Sequence, residues 1–149
     1  MKGILGGQFE TSIRILVLLE AAYESKLTEG EIIALDFIVL YARDFGIADT
    51  NLHGDNQYRF SEFPALRELV KQGIKDLVLD RLIDVAQTQM GFQYSISSSG
   101  FSFSSKLDSL YANEYYNFAL NVMNTMKNKS EEELTAIINQ RAINSVQRG

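Results

Sequence analysis

Residues 61–96 have the sequence SEFPALRELVKQGIKDLVLDRLIDVAQTQMGFQYSI, and this stretch decides the fold. Its first part predicts a helix, because apolar side chains recur at helical spacing; they are Leu66, Leu69, Val70, Ile74, Leu77 and Val78. Its second part alternates apolar and polar side chains on both sides of Met90-Gly91, which predicts a β-hairpin. We expect Ser61 to cap the helix and Gly73 to let a neighbouring element approach closely.

Two further helices are predicted before this stretch. The first begins near Glu10, and we expect Arg14 on its polar side. The second begins after Thr28, which can form a capping box with Glu31. Its apolar side chains cover most of its circumference, so we expect this helix to be central. The order helix, helix, loop, helix, hairpin predicts an α+β, mostly α fold with a winged-helix-like core over residues 10–97.

Two to three helices are predicted after the hairpin. They form a helical C-terminal extension over residues 98–149 of what we expect to be a single domain, residues 1–149. Ser98 or Ser99 is expected to cap the first of them, and Ser130 with Glu133 predicts a second capping box. Side chains at helical spacing are expected in the core, namely Phe103, Leu107, Leu110, Tyr115 and Phe118, whereas Tyr111 and Tyr116 are expected to be exposed.

The composition excludes several kinds of chemistry. The 149 residues include no Cys and one His, which removes disulfides, thiolate metal sites and sites built from several histidines. The sequence also lacks a phosphate-binding Walker motif, a dinucleotide-binding glycine motif and a nucleophile elbow. We therefore expect no catalytic residue, no metal and no cofactor, and a protein that is not an enzyme.

The charge distribution argues against unaided nucleic-acid binding. The formal net charge is −5, and most of the excess acid lies in residues 1–60. On the third predicted helix the cationic side chains alternate with acidic ones, and residues 87–93 at the predicted hairpin tip include neither Lys nor Arg. A surface that binds phosphates needs clustered cations. A winged-helix transcriptional regulator that binds DNA is therefore the alternative rather than the main interpretation.

The segment between the second and third predicted helices, residues 47–59, is polar, aperiodic and long enough to be functional. The candidate partner-binding residues on or beside this loop are Asp44, His53 and Arg59. A lone His on a loop can also act as a general base in a hydrolase, or make a structural hydrogen bond, and no nucleophile motif accompanies His53. The acidic side chains that are available to orient the imidazole lack the spacing of a calcium loop; they are Asp44, Asp49 and Asp55.

No export signal or membrane span is evident in the sequence. The apolar run over residues 13–19 contains Arg14 and is followed by Glu20, and it is far shorter than a spanning helix. We therefore expect a cytoplasmic protein with no membrane partner.

Five short segments follow one another along the chain: IALDF (33–37), ARDFG (42–46), NLH (51–53), RELVKQGI (67–74) and DRLI (80–83). Their succession resembles the small middle components of bacterial ABC-three-component systems, and the resemblance extends over about residues 9–140. Gly54 stands where this family often has Pro, and the third predicted helix has fewer Arg residues than is usual.

The resemblance implies a non-enzymatic adaptor subunit of a defence complex against phages or plasmids, as in Lamassu-type systems. The implied partners are an SMC-like ABC ATPase and an effector, commonly a nuclease. The middle component would link the effector to the ATPase and help hold it inactive until foreign DNA is sensed. Contact with DNA would then come mainly through the complex, with no small-molecule substrate.

Overall fold

The computed structural model describes residues 7–54 and 58–148, and this part of the chain forms six α-helices and a small sheet. Short 3-10 helices at Ala42–Phe45 and Arg59–Glu62 flank the predicted loop. The α+β, mostly α class is confirmed. In chain order the regular elements are α1 (Gln8–Ala21), β1 (Leu27–Thr28), α2 (Glu29–Leu40), α3 (Phe63–Leu79), β2 (Ile83–Thr88), β3 (Gly91–Ile96), α4 (Ser98–Ser105), α5 (Leu110–Thr125) and α6 (Glu131–Arg148).

The sheet has three antiparallel strands in the order β1-β3-β2. The predicted hairpin is confirmed: β2 and β3 pair with Val85 opposite Tyr94, and the turn lies between Thr88 and Gly91. Strand β1 was not predicted, because two residues are too few to show a period; it pairs with β3 through Leu27 and Tyr94. Strand β2 lies at the edge of this sheet.

Helix α2 is central, as its composition predicts. Every residue from Ile32 to Leu40 is buried, including Asp36. Helix α1 is buried from Arg14 to Leu19 and packs against α3 and α5. The core therefore lies between α1 and α2, with α3, α5 and α6 around them.

Both predicted capping boxes are present. The Thr28 Oγ1 atom accepts a hydrogen bond from the Glu31 N–H at 3.1 Å, and a Glu31 carboxylate oxygen accepts one from the Thr28 N–H at 2.9 Å. The same reciprocal pair joins Ser130 and Glu133, at 3.1 Å and 2.9 Å. Each box satisfies two backbone donors that a helix start leaves open, and this is why α2 and α6 begin where they do.

Two predicted caps are wrong. Helix α3 begins at Phe63, and Ser61 instead donates its hydroxyl to the carbonyl oxygen of Tyr58 at 2.7 Å, within the preceding 3-10 turn. Helix α4 is capped by Ser97, whose Oγ accepts from the Gly100 N–H at 3.0 Å, and not by either of the two serines that follow. In runs with several serines, backbone geometry decides which hydroxyl reaches the open N–H groups.

The structure also corrects the predicted burial after the hairpin. Phe103 is 43% exposed and Leu110 is 75% exposed, because α4 ends at Ser105 and the helical period does not continue across the break to α5. Tyr115 is buried as predicted, and Leu107 and Phe118 pack partly buried against the core. The two tyrosines that were expected to be exposed, Tyr111 and Tyr116, are half-buried.

Two glycines lie where another element approaches closely. A Cβ atom at Gly73 would lie 2.8 Å from the Ile15 Cδ1 atom, which confirms the predicted close approach, here between α3 and α1. A Cβ atom at Gly100 would overlap the carbonyl oxygen of Leu82. The second contact is the more restrictive, because a backbone carbonyl has no rotamer to change. It fixes α4 against the start of the hairpin.

We therefore expect Gly100→Ala to lower the free energy of unfolding by about 1–3 kcal/mol, the usual cost of overpacking. Ser99→Ala, at the exposed neighbouring position, is the control and should unfold at nearly the same urea concentration as the wild type. Equal urea midpoints for the Gly100 variant and the wild type would show that α4 does not depend on this contact.

Candidate functional site

A buried ion pair joins α1 to α2. The Arg14 Nε atom donates to Asp36 Oδ1 at 3.1 Å, and the Nη2 atom donates to Oδ2 at 3.2 Å. Tyr115 of α5 donates its hydroxyl to the same carboxylate at 2.7 Å. The three side chains are almost completely buried. One carboxylate therefore accepts hydrogen bonds from two other helices.

The position of Arg14 corrects the expectation that it lies on a solvated side of the first helix. Its side chain is buried because Asp36 compensates its charge, and Nη2 also donates to Thr11 at 3.3 Å. The sequence does include a signal for this pair. Arg14 and Asp36 are the charged residues of two otherwise apolar runs, IRILVLL and IIALDFIVL, and their charges are opposite.

Burial shifts the proton affinities of this network. Burial alone would lower the pKa of Arg14, but the charge of Asp36 and its hydrogen bonds raise it above its usual value. Burial raises the pKa of Tyr115 well above its ordinary value, and it does the same for Tyr111, which also accepts a hydrogen bond from Arg14. The guanidinium group therefore stays charged and both phenols stay protonated across the physiological range.

His53 contacts this network through Tyr111 of α5. Its Nε2 atom lies 2.8 Å from the Tyr111 hydroxyl oxygen, and the centroids of the two rings are 6.0 Å apart. The imidazole also meets the Tyr41 ring edge-on, with the centroids 6.4 Å apart. The candidate general base of the loop therefore makes a structural contact with two aromatic side chains.

The structure brings together the other two candidates, Asp44 and Arg59. The Arg59 Nη2 atom donates to Asp44 Oδ1 at 3.0 Å, and the Asn51 side chain donates to Asp44 Oδ2 at 3.2 Å. The Arg59 guanidinium carbon lies 5.2 Å from the centroid of the Phe60 ring. Both charged side chains keep some exposure, 19% for Arg59 and 17% for Asp44. With α6 they line a cleft of about 170 Å³, whose other residues are Phe60, Arg141, Asn144 and Ser145.

Two of the three acidic candidates that could orient the imidazole lie on or beside the described part of the loop. His53 contacts a tyrosine, Asp44 is engaged by Arg59 and Asn51, and Asp49 is exposed. Asp55, the third acidic candidate, lies outside the described residues. Among residues 7–54 and 58–148, no three acidic or histidine side chains are grouped in a way that would hold a metal ion. Over the same ranges, no helix has the length and apolarity needed to cross a membrane.

The exposed side of α3 carries both signs of charge, as the sequence predicts. Lys71 and Lys75 are exposed, and so is Glu68, one turn earlier. The hairpin tip is uncharged, and its exposed large side chains are apolar: Met90 is 73% exposed and Phe92 is 58% exposed. This surface offers apolar area rather than the clustered cations that phosphates require.

Two buried tyrosines allow a matched test of the network. Tyr115→Phe removes a donor from a buried carboxylate, and we expect the free energy of unfolding to fall by about 1–3 kcal/mol. Tyr41 is the control, because no hydrogen-bond partner for its hydroxyl lies within the described ranges and burial raises its pKa to about 12.

Tyr41→Phe should therefore leave the free energy of unfolding unchanged or raise it. Urea unfolding followed by circular dichroism measures both changes. If the free energy of unfolding falls equally in the two variants, the hydrogen bond from Tyr115 to Asp36 contributes nothing beyond packing.

Comparison with known proteins identifies one family. The model of the ABC-three component (ABC-3C) system Middle Component 2 matches residues 4–148. No curated protein and no solved structure matches the chain. Because the family model covers nearly all of the sequence, the chain belongs to the Middle Component 2 family of ABC-three-component systems.

Proposed function

We propose that this chain is a non-enzymatic adaptor subunit that links an SMC-like ABC ATPase to an effector nuclease in an antiphage or antiplasmid defence complex. The observation that carries the proposal is the family match over residues 4–148, which indicates a component of a defence system that works with other components. The chain would hold the effector inactive until the ATPase responds to foreign DNA.

The geometry of the loop supports a contact role for its polar residues. Asp44 and Arg59 form an ion pair that is still partly exposed, and it lies at a cleft against α6. His53 holds the loop to α5 through Tyr111. A polar surface on a segment that is held at two points can meet a partner with little loss of conformational freedom, which favours binding.

A charge swap tests this surface without removing its internal pair. The double variant Asp44→Arg with Arg59→Asp keeps opposite charges next to each other but reverses the pattern that a partner meets. We expect the double variant to bind the ATPase or the effector at least tenfold more weakly than the wild type, a loss of about 1.4 kcal/mol. The affinity of purified components, measured by biolayer interferometry, gives this ratio.

The control reverses two exposed residues of opposite charge that do not line this cleft, Glu132→Lys with Lys127→Glu. Thermal unfolding of all variants shows whether the chain remains folded. If the loop variant is folded and binds both components as tightly as the wild type, the assignment of Asp44 and Arg59 to a partner contact is wrong. If the wild-type chain binds neither component, the adaptor role itself is wrong.

A winged-helix transcriptional regulator is the second candidate function, because the order α1, β1, α2, α3, β2, β3 matches that arrangement. Its recognition helix would be α3. The mixed charges of α3 and the uncharged hairpin tip predict that the isolated chain does not retard duplex DNA in a gel at physiological salt. A salt-sensitive complex at nanomolar concentration, the range of specific regulators, would favour the regulator over the adaptor.

A further inference from the structure

The cleft beside the Asp44–Arg59 ion pair is closed on its other side by α6. Three residues of that helix line the cleft, and we call them the donor face of α6: Arg141, Asn144 and Ser145. They are spaced i, i+3 and i+4, so they lie on one side of the helix. Because each has a side-chain N–H or O–H group, the donor face can offer several hydrogen bonds to one ligand.

The donor face continues the side of α6 that packs on the core. Leu134 and Ile138 are buried, and α6 packs against α2. Arg141 and Ser145 follow them at helical spacing, so the same stripe changes from apolar to polar where it reaches the cleft. Because the buried part of the stripe holds α6 in place, the donors are positioned before a ligand arrives.

The donors of this face have few partners within the protein. Among residues 7–54 and 58–148, no side chain forms an ion pair or a hydrogen bond with the Arg141 guanidinium group or with the Ser145 hydroxyl. The Asn144 Oδ1 atom accepts a hydrogen bond from Gln140 at 3.1 Å, and this bond leaves the Nδ2 donors of Asn144 for a ligand. All three residues can therefore donate into the cleft.

The acidic side chain in the described lining of the cleft, Asp44, is already engaged. Its Oδ1 atom accepts from Arg59 Nη2 at 3.0 Å, and its Oδ2 atom accepts from Arg59 Nε at 2.5 Å and from Asn51 at 3.2 Å. A bidentate ion pair of this kind compensates the charge of both partners. The charge that is left for a ligand to neutralise is therefore that of Arg141.

These properties match a single carboxylate, which carries one negative charge and only accepts hydrogen bonds. The described residues that line the cleft carry two positive charges and one negative charge, so one carboxylate balances them. Pockets for drug-sized ligands begin at about 300 Å³, and a cleft of about 170 Å³ suits one side chain. The phosphates of duplex DNA recur along both strands and require several clustered cations, which this lining lacks.

We infer that this cleft binds the carboxylate of an Asp or Glu side chain of a partner protein. Arg141 forms the ion pair with that carboxylate, and Asn144 and Ser145 donate further hydrogen bonds to it. The Asp44–Arg59 pair forms the opposite wall. The inference rests on the proposed adaptor function, and it adds the chemistry of the partner group that this surface receives.

Matched charge reversals test the site. Arg141→Glu is compared with Lys127→Glu, because both side chains are exposed and Lys127 does not line the cleft. The probes are the purified ATPase and effector of the same system. We expect Arg141→Glu to weaken binding to one of them at least tenfold and Lys127→Glu to leave both affinities unchanged. Thermal unfolding checks that each variant is folded, and Arg141→Gln replaces Arg141→Glu if the latter is not.

Carbodiimide coupling identifies the group that enters the cleft. Arg141→Lys keeps the positive charge and adds a primary amine, which a carbodiimide joins to a carboxylate in direct contact. The coupling is carried out on the complete complex, with the wild-type chain as the control, and the linked peptides are sequenced. We expect a link from position 141 to an Asp or Glu residue of the ATPase or the effector. Links that end only at carboxylates of this chain, or of a second copy of it, would overturn the inference.

The outcomes separate this inference from the adaptor role. If the wild-type chain binds neither component, the adaptor role is wrong and the carboxylate site is wrong with it. If the wild type binds and Arg141→Glu binds equally well, only the carboxylate site is wrong. Duplex DNA that is retarded in a gel by the wild type but not by Arg141→Glu would assign the cleft to phosphates, and this result would also overturn the inference.

Discussion

Arg14 and Asp36 lie in the core, away from water, so each charge depends on the other for compensation. Transferring an ion into a protein interior costs several kcal/mol, and the cost is recovered only when the two groups meet with good geometry. Helix α2 is apolar around most of its circumference, so hydrophobic burial alone does not determine which of its sides faces α1. The ion pair does, because only one rotation of α2 brings Asp36 to Arg14. Tyr115 places α5 against the same carboxylate.

The sequence predicts those parts of the fold that short-range geometry determines. Thr28 with Glu31, and Ser130 with Glu133, set the start of two helices because partners three residues apart satisfy one another. Alternation around Met90-Gly91 predicts the hairpin for a similar reason. Strand β1 has only two residues, which are too few to show a period. It forms because it pairs with β3 of the hairpin. The burial of Arg14 was also not predicted, because a charged side chain by itself suggests a position on the solvent-exposed side of the helix.

The sequence predicts which segment carries the candidate site, but it does not predict how the residues of that site pair. The polar, aperiodic loop indicates where contact residues lie, and Asp44, His53 and Arg59 do lie on or beside it. Their pairing was not predictable, because Asp44 meets Arg59 across 15 residues of chain and His53 meets Tyr111 across 58. Several acidic side chains compete for each cation in that region, and tertiary packing decides between them. The exposure of Leu79 could not be predicted for a different reason, because the exposure of a Leu at the end of a helix depends on which elements pack against it.

Helix α1 connects the buried ion pair to the C-terminal end of α3. Phe9 at its start lines a cleft that Leu79 also lines, and Arg14 belongs to the network that reaches the loop through Tyr111 and His53. The two residues are five positions apart, or about 7.5 Å along a helix. The Arg14 end of that helix is fixed by a buried ion pair and its flank by the close contact at Gly73. The network that reaches the loop and the C-terminal end of α3 are therefore held at a set distance and orientation.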